Sequence, residues 1–373
     1  MTESIVIRAA MEQAVLDDVF PGAVLAVRLR GELRCLLATG RLSALLPDEP
    51  VQPATIYDLA SLTKPLATVT SLLLLVQQGR VDLRKTVGTI LGELDGTAVG
   101  SANLRELLSH CSGLPGWRPL HEYLERRLGD LTRAEPLAVR EAMIKLIGDE
   151  PLVYDRGEQS VYSDLGFILL GLVVERVTGH SMDECVAELI TAPLAAAPLM
   201  FFPAISATPN LHGALPSVAP TEFDEKKGRF LRGEVHDANA AAMGGIAGHA
   251  GLFGTAQAVL AVSGAWLSAY RGRASILDER LVREFATRSE DVPQSSWALG
   301  WDTPSTPSSS GRYFSATSFG HLGYTGTSLW VDPVRELEVV LLSNRVHPRR
   351  ENDKIRAFRP VIHDLVITEF SSV

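Results

Sequence analysis

Ser61 and Lys64 stand three residues apart in the stretch from Thr55 to Val76, TIYDLASLTKPLATVTSLLLLV. A serine hydroxyl becomes a useful nucleophile when a neighbouring group takes its proton. Pro65 has no amide hydrogen and is tolerated in the first turn of a helix, where amides lack partners, so the spacing predicts a helix that begins near Ser61. Lys64 then lies on the same face as the Ser61 hydroxyl, at the positive helix end, and the apolar run behind them predicts partial burial of both. Burial lowers a lysine pKa and makes the neutral amine available as a base. The pair by itself is a weak signal, because six lysines and 28 serines in 373 positions produce about 0.5 such spacings by chance. A capping serine with a lysine reaching to the surface is the plain alternative.

Two further clusters could join that chemistry. Tyr162-Ser163-Asp164 precedes the apolar run Leu165 to Val177, which puts a phenol at a helix start; here Asp164 is expected as the N-cap, with a second use toward a ligand. In Phe319 to Gly326, FGHLGYTG, strand alternation places Phe319, His321 and Gly323 on one face. Glycine lets a ligand lie along that strand. His321, when protonated, is expected to attract a carboxylate, so that affinity for such substrates falls as pH rises through about 6.5.

The elements that must position these groups come from both ends of the chain. Pro21 to Gly40 reads as strand, tight turn at Arg30-Gly31-Glu32, strand. From about Leu59 to Val186 the periodicity is mostly helical, with Gly79, Gly113, Gly129 and Gly179 at turns. Residues 203–233, rich in Pro, Gly and polar side chains, are expected as a long surface excursion. Thr255 to Tyr270 reads as a helix. Strands are then expected at Ala298 to Asp302, Ser318 to Tyr324, Thr327 to Val331 and Leu337 to Leu342, with STPSSSG (Ser305 to Gly311) as a mobile connection and Ile355 to Phe370 as a closing amphipathic helix. This order predicts an α+β fold: one antiparallel sheet flanked by helices and formed by both termini (residues 1–84 and 290–373), with an all-helical domain inserted (85–289).

Composition narrows the function. Thirty-five Lys plus Arg against 44 Asp plus Glu leave a net charge of −9, which argues against nucleic acid as a partner. The apolar runs Leu72 to Val76 and Gly166 to Val174 are shorter than the roughly 18–20 residues that span a bilayer, so no membrane partner is expected. The N-terminal residues lack a basic start and an apolar block, which reads as a cytoplasmic protein, or a periplasmic one if a leader has been removed. Cys35, Cys111 and Cys185 are widely spaced and odd in number, and read as buried small side chains. No His spacing suits a metal, and no G-x-S-x-G elbow occurs. Gly245, Gly248, Gly251 and Gly254 lack the Gly-Lys-Ser/Thr ending of a phosphate loop and read as close packing or turns.

Ser61-x-x-Lys64, Tyr162-x-Asp164 and His321-x-Gly323, in that order, resemble the serine β-lactamase and penicillin-binding protein superfamily, most closely its class C-like branch. The surrounding stretches LRELLSHCSGLP (Leu104 to Pro115), YSDLGFILLG (Tyr162 to Gly171), ALGWD (Ala298 to Asp302) and HLGYTGTSLWVDP (His321 to Pro333) extend the resemblance over nearly the whole chain. It implies a β-lactamase/transpeptidase-like fold with the active site in the cleft between sheet and helical domain. It also implies Ser61 as nucleophile, Lys64 as its activator, Tyr162 as shared acid and base, and the backbone N–H groups of Ser61 and Tyr324 as the oxyanion hole. Asp164, His321 and Gly323 would contact substrate, and no metal or other cofactor is required. Two departures stand out: Asp164 where class C proteins carry Asn, and His321 where β-lactamases carry Lys. His at that place is closer to the peptidase, amidase and esterase members. The stretch EVHDANAAAMGGIAGHAGLF (Glu234 to Phe253) adds His236 and Asp237 as candidate cleft-lining groups.

The expected activity is therefore serine hydrolysis of an amide or ester bond through a Ser61 acyl-enzyme. The substrates in view are D-Ala peptides, muropeptides, β-lactams and small esters. The alternative is a penicillin-binding or sensing protein that is acylated without efficient turnover.

Overall fold

Arg30 and Gly31 both take positive φ, 53° and 81°, the left-handed pair that lets a two-residue turn follow the twist of its strands. They join β1 (Gly22–Leu29) to β2 (Glu32–Gly40). Three late strands, β3 (Phe319–Leu322), β4 (Ser328–Asp332) and β5 (Leu337–Ser343), complete an antiparallel sheet in the order β2-β1-β5-β4-β3. β1 and β5 run from Ala23 opposite Ser343 to Leu29 opposite Leu337, so the sheet is closed by sequence from both ends of the chain. The structure is a computed structural model that describes residues 4–45, 49–202 and 217–370.

Alternation along β1 divides its side chains between two cores. Ala23, Leu25 and Val27 pack with Ile7 and Met11 of α1 (Ile5–Leu16) and with Ile362 and Val366 of α5 (Ile355–Phe370). Val24 and Ala26 face the larger core on the other side. With helices on both faces, β1 is apolar on both, which explains its nearly unbroken run of aliphatic residues.

The larger core is built on α2, the helical run from Ala60 to Gln77. By length (18 residues) and mean hydropathy (1.2) α2 could cross a membrane, yet 83% of it is buried inside the fold. The short apolar run Leu72 to Val76 understated it, and its apolar character is that of a core helix. Around it pack α3 (Asp164–Thr178), the helices Leu104–Leu108, Leu120–Leu128 and Pro136–Gly148, and α4 (Ala256–Tyr270).

Several expectations need correction. Leu252–Gly254 pairs with Tyr57–Asp58 on one side and with Leu199–Phe201 on the other in a three-stranded sheet, so the inserted part is not purely helical. α4, assigned above to the insert, packs on β1, β4 and β5 and belongs by contact with the main sheet. Ala298 to Asp302 is not a strand, because the chain turns at Gly300 (φ 82°) and only Asp302 bridges to Gly320. Residues 203–216 of the expected excursion lie outside the described residues. The remainder is not all at the surface: Val218, Ala219 and Thr221 are buried and Asn344 donates to Pro220 O. STPSSSG is held in place, with Ser310 buried and the His363 ring 2.9 Å from Ser309 O. All three cysteines are buried, as expected.

The glycine-rich stretch serves close packing. A Cβ on Gly171 of α3 would lie 2.7 Å from Gly248 Cα, and one on Gly248 would lie 2.3 Å from Phe167 O. Gly171→Ala is expected to destabilise the protein by about 1–3 kcal/mol through this overlap. Urea unfolding measures the loss, and an unchanged midpoint contradicts the contact.

Candidate active site

Ser61 sits in a 3₁₀ turn, Ala60–Leu62, that follows the short strand Tyr57–Asp58. Ala60 holds a left-handed φ of 48°, a conformation that costs an L-residue about 1–2 kcal/mol. Its neighbours impose it. Asp58 Oδ1 accepts the Ala60 N–H at 2.8 Å, Leu59 N–H donates to Leu252 O at 2.9 Å, and Thr63 Oγ donates to Ala60 O at 2.6 Å. Lys64–Val69 is then wound as a π-helix before the regular α-helix Thr70–Gln77. Helix does start beside Ser61, at Ala60, and Pro65 lies in the first turn of the π-wound part rather than of the run as a whole.

Lys64 is fully buried and uses all three of its N–H groups. Nζ donates to Ser61 Oγ at 3.1 Å, to Asp164 Oδ1 at 2.6 Å and to His249 O at 3.2 Å. Three acceptors describe an ammonium. Burial pulls the Lys64 pKa down, but the Asp164 carboxylate and the Tyr162 phenol more than offset it, and the net direction is upward from 10.5. The expectation of a resting neutral amine is thereby corrected: the carboxylate that replaces Asn keeps Lys64 charged.

Asp164 is available for this because it is not the N-cap. Ser163 caps α3, with Oγ accepting from Gly166 N–H at 3.3 Å and donating to Pro115 O at 2.7 Å. Asp164 is the first helical residue. Tyr162, just before the cap, points its hydroxyl at Ser61 and Lys64, and Lys64 Nζ lies 4.7 Å from its ring centre. Burial raises the Tyr162 pKa, against a lowering by Lys64, so the resting phenol keeps its proton. Behind it His110, 4.7 Å away ring to ring, accepts the Ser163 N–H on Nδ1 at 3.1 Å and is held neutral by burial.

His321 lies on β3 beside these groups, 5.8 Å ring to ring from Tyr162. Nδ1 is 2.8 Å from Leu322 O, which fixes the proton there; Nε2 is buried without a protein partner, a lone pair open to a donor. Burial, reinforced by the Lys64 charge, pushes its pKa down to about 3. A neutral imidazole does not anchor a carboxylate by charge, so the pH-dependent anchor expected above is corrected.

After β3 the chain turns through Gly323, Tyr324 and Thr325. Only glycine fits at 323, where a Cβ would lie 1.9 Å from Thr327 Oγ and 2.6 Å from Leu59 O. Thr325 Oγ donates to Asp58 O at 2.7 Å and Thr327 Oγ to Leu59 O at 3.1 Å. Two threonines thus tie the turn that carries the Tyr324 N–H to the residues just before Ser61.

A cavity of about 290 Å³ opens on this cluster, lined by Ser61, Tyr162, Trp297, His321, Gly323 and Tyr324 together with Asp302 and the arginines 345, 356 and 359. Burial raises Asp302 to about 6. His236 and Asp237 do not line this cavity. The His236 N–H donates to Asp58 Oδ2 at 2.8 Å and its ring meets Glu222 at 3.0 Å; Asp237 Oδ1 accepts from His249 Nε2 and Ala240 N–H, both at 2.8 Å. Among the described residues no group of three or more His, Cys, Asp or Glu could hold a metal ion. Sequence reasoning missed Trp297 and the three arginines, while His110, His249, Thr325 and Thr327 lay unremarked inside LRELLSHCSGLP, EVHDANAAAMGGIAGHAGLF and HLGYTGTSLWVDP.

Two pH measurements follow. Asp164→Asn removes both the charge that opposes burial and the carboxylate beside Nζ, so Lys64 must itself be neutral to act, and kcat/KM on a neutral ester is expected to gain an ascending limb set by the Lys64 pKa that the parent lacks; an unchanged profile contradicts the pairing. Because His321 stays neutral, KM for carboxylate-bearing and neutral esters should run in parallel between about pH 5 and 8. A selective rise for the carboxylate through pH 6.5 overturns its neutrality.

The Beta-lactamase family model matches residues 7–360. N-acetylmuramyl-L-alanine amidase of Bacillus subtilis (strain 168) is 32% identical over 366 residues, covering 90% of this chain and 80% of that protein. A putative D-alanyl-D-alanine carboxypeptidase of Salmonella agona (strain SL483) is 31% identical over 319 residues, covering 81% of this chain and 72% of its own. The octameric penicillin-binding protein homologue from Pyrococcus abyssi superposes with a TM-score of 0.74 at 19% identity, over 97% of this chain and 77% of that one, and shows the shared β-lactamase/transpeptidase-like fold. The order of motifs, the sheet built from both termini and these matches agree, and the chain belongs to the Beta-lactamase family of serine hydrolases.

Proposed function

We propose that this protein hydrolyses an amide bond in cell-wall-derived peptides or muropeptides through an acyl-enzyme on Ser61. The observation that carries the reading is the cluster of half-buried Ser61, Tyr162 and Asp164 around the buried Lys64 at the wall of a cavity. Ser61 Oγ attacks the carbonyl carbon. Its proton passes to Lys64, which cedes one of its own to Asp164 across 2.6 Å; the ion pair thus becomes the base that a resting ammonium alone cannot be. The carbonyl oxygen, now an oxyanion, takes hydrogen bonds from the N–H groups of Ser61 and Tyr324. Tyr162 delivers a proton to the leaving nitrogen and regains one from Asp164 through Lys64; water then attacks the acyl-Ser61 ester as the same pair takes its proton, and that proton returns to Ser61 Oγ as the acid is released. No cofactor enters these steps.

The names of the relatives, an amidase acting at N-acetylmuramyl-L-alanine and a putative D-alanyl-D-alanine carboxypeptidase, put muropeptides and D-Ala peptides first. The arginines lining the cavity suit the carboxylates of such peptides. β-Lactams and small esters come second. Asp164 hydrogen-bonded to Lys64 also supports a second reading, a penicillin-binding protein that is acylated and released slowly, since the lysine must first be freed of its proton.

Time-resolved intact mass with a muramyl peptide, a penicillin and an activated ester separates the two readings. The parent should show transient adducts with sustained product, and Ser61→Ala should lose labelling and at least about 10³-fold in rate. A persistent adduct without turnover on all three compounds selects the second reading. Labelling that survives in Ser61→Ala contradicts both.

A further inference from the structure

Arg359, on α5, is 6% exposed and lines the cavity beside Ser61. Among the described residues it makes no ion pair with a carboxylate; the charges that act on it are those of Arg345 and Arg356, both of its own sign. A buried cation without a counter-ion is costly, and the fold retains it. Its hydrogen bonds show where it is directed. Nη2 donates to Gly323 O at 2.7 Å and to Thr327 O at 2.8 Å, the two ends of the turn after β3. Nε is buried with no partner, so the guanidinium is placed for these carbonyls rather than for its own full satisfaction.

Gly323 O and the Tyr324 N–H belong to one peptide group. In a trans peptide they point in opposite directions, the carbonyl toward Arg359 and the N–H away from it. A cation on the carbonyl draws electron density from the amide nitrogen and makes its N–H a stronger donor. Arg345 holds the next peptide in the same way, with Nε 2.8 Å from Tyr324 O. The front of the turn is fixed by Thr325 and Thr327 on Asp58 and Leu59, and its back by the two arginines.

We propose that Arg359 is a positioning residue for acyl transfer: its guanidinium fixes and polarises the Gly323–Tyr324 peptide, so that the Tyr324 N–H meets the developing oxyanion as a strengthened, immobile donor. This rests on the reading of the Tyr324 N–H as an oxyanion donor. It assigns to α5 a part in catalysis that no motif carries.

The test uses Arg359→Met and Arg359→Lys in the full chain, with urea unfolding to confirm that each folds. Three readouts are taken: kcat and KM on a neutral activated ester, the affinity of a boronic acid that forms a tetrahedral anion on Ser61, and substrate binding in the Ser61→Ala background. Removal of a whole oxyanion donor costs about 10²–10³-fold, so weakening one by Arg359→Met should lower kcat and boronate affinity by about 10- to 100-fold. KM and binding in the Ser61→Ala background should stay within about twofold, and Arg359→Lys, which keeps the charge, should recover part of both losses. Unchanged kcat and boronate affinity overturn the proposal. So does a loss confined to KM for carboxylate-bearing substrates, which makes Arg359 a substrate anchor instead. If Arg359→Met does not fold, Arg359→Lys decides, by a loss of kcat and boronate affinity together at constant KM or by its absence. Absence of any Ser61 adduct in the parent contradicts the acyl-enzyme reading itself, and is thereby distinct from a failure of Arg359 alone.

Discussion

The Asp164 carboxylate lies 2.6 Å from a lysine nitrogen that no solvent reaches, and the site is arranged around that ion pair. An isolated ammonium in such a place loses its proton or unfolds its surroundings. Here three segments distant in sequence each supply one acceptor: Ser61 from the start of α2, Asp164 from the start of α3, and the His249 carbonyl from the glycine-rich stretch. Breaking a buried pair by removing one partner typically costs about 3–5 kcal/mol. The charge therefore holds together the elements that it also serves. The contact of Gly171 with Gly248 is the same arrangement seen from the backbone, since only two glycines let α3 approach closely enough to bring the next carbonyl onto Lys64.

A second constraint sets the other half of the site. Ser61 and the turn after β3 are separated by more than 250 residues of chain, yet two threonine hydroxyls bridge them at Asp58 and Leu59. Ala60 is driven into a left-handed conformation directly between that anchor and Ser61. Strain of this kind persists when its surroundings over-determine it. Asp58 does so from both sides, with one carboxylate oxygen on the Ala60 N–H and the other on the His236 N–H. His236 and Asp237 thus contribute behind the site, as supports for Asp58 and His249, rather than at the cavity.

Local rules reached the elements well. The Arg30-Gly31 turn, the helix start beside Ser61 and the closing helix Ile355–Phe370 all follow from turn chemistry, proline and periodicity. Charge states did not follow, because they are set by partners far away in sequence. Lys64 looked like a base while its burial alone was considered, and Asp164, a hundred residues on, reverses the direction of its shift. Ser163 and Asp164 are both good caps, and only geometry decides between adjacent candidates. Arg359 looked like one of many charges on an amphipathic helix, although its carbonyl partners lie inside the protein. Pro and Gly content marked residues 203–233 as a surface loop, whereas Val218 to Thr221 are packed against the core. Composition reports backbone freedom, not what the backbone rests on.

The protonation of Lys64 can be read directly. Nitrogen-15 NMR of lysine-labelled protein, with the Nζ signal assigned by its loss in Lys64→Met, follows one atom through a pH titration without reference to any substrate. An ammonium signal that persists from neutral pH to beyond pH 10, and becomes an amine signal at lower pH when Asp164 is replaced by Asn, is the result predicted by the ion pair. A neutral amine at pH 7 in the parent protein would contradict it, and would return Lys64 to the role of a resting base.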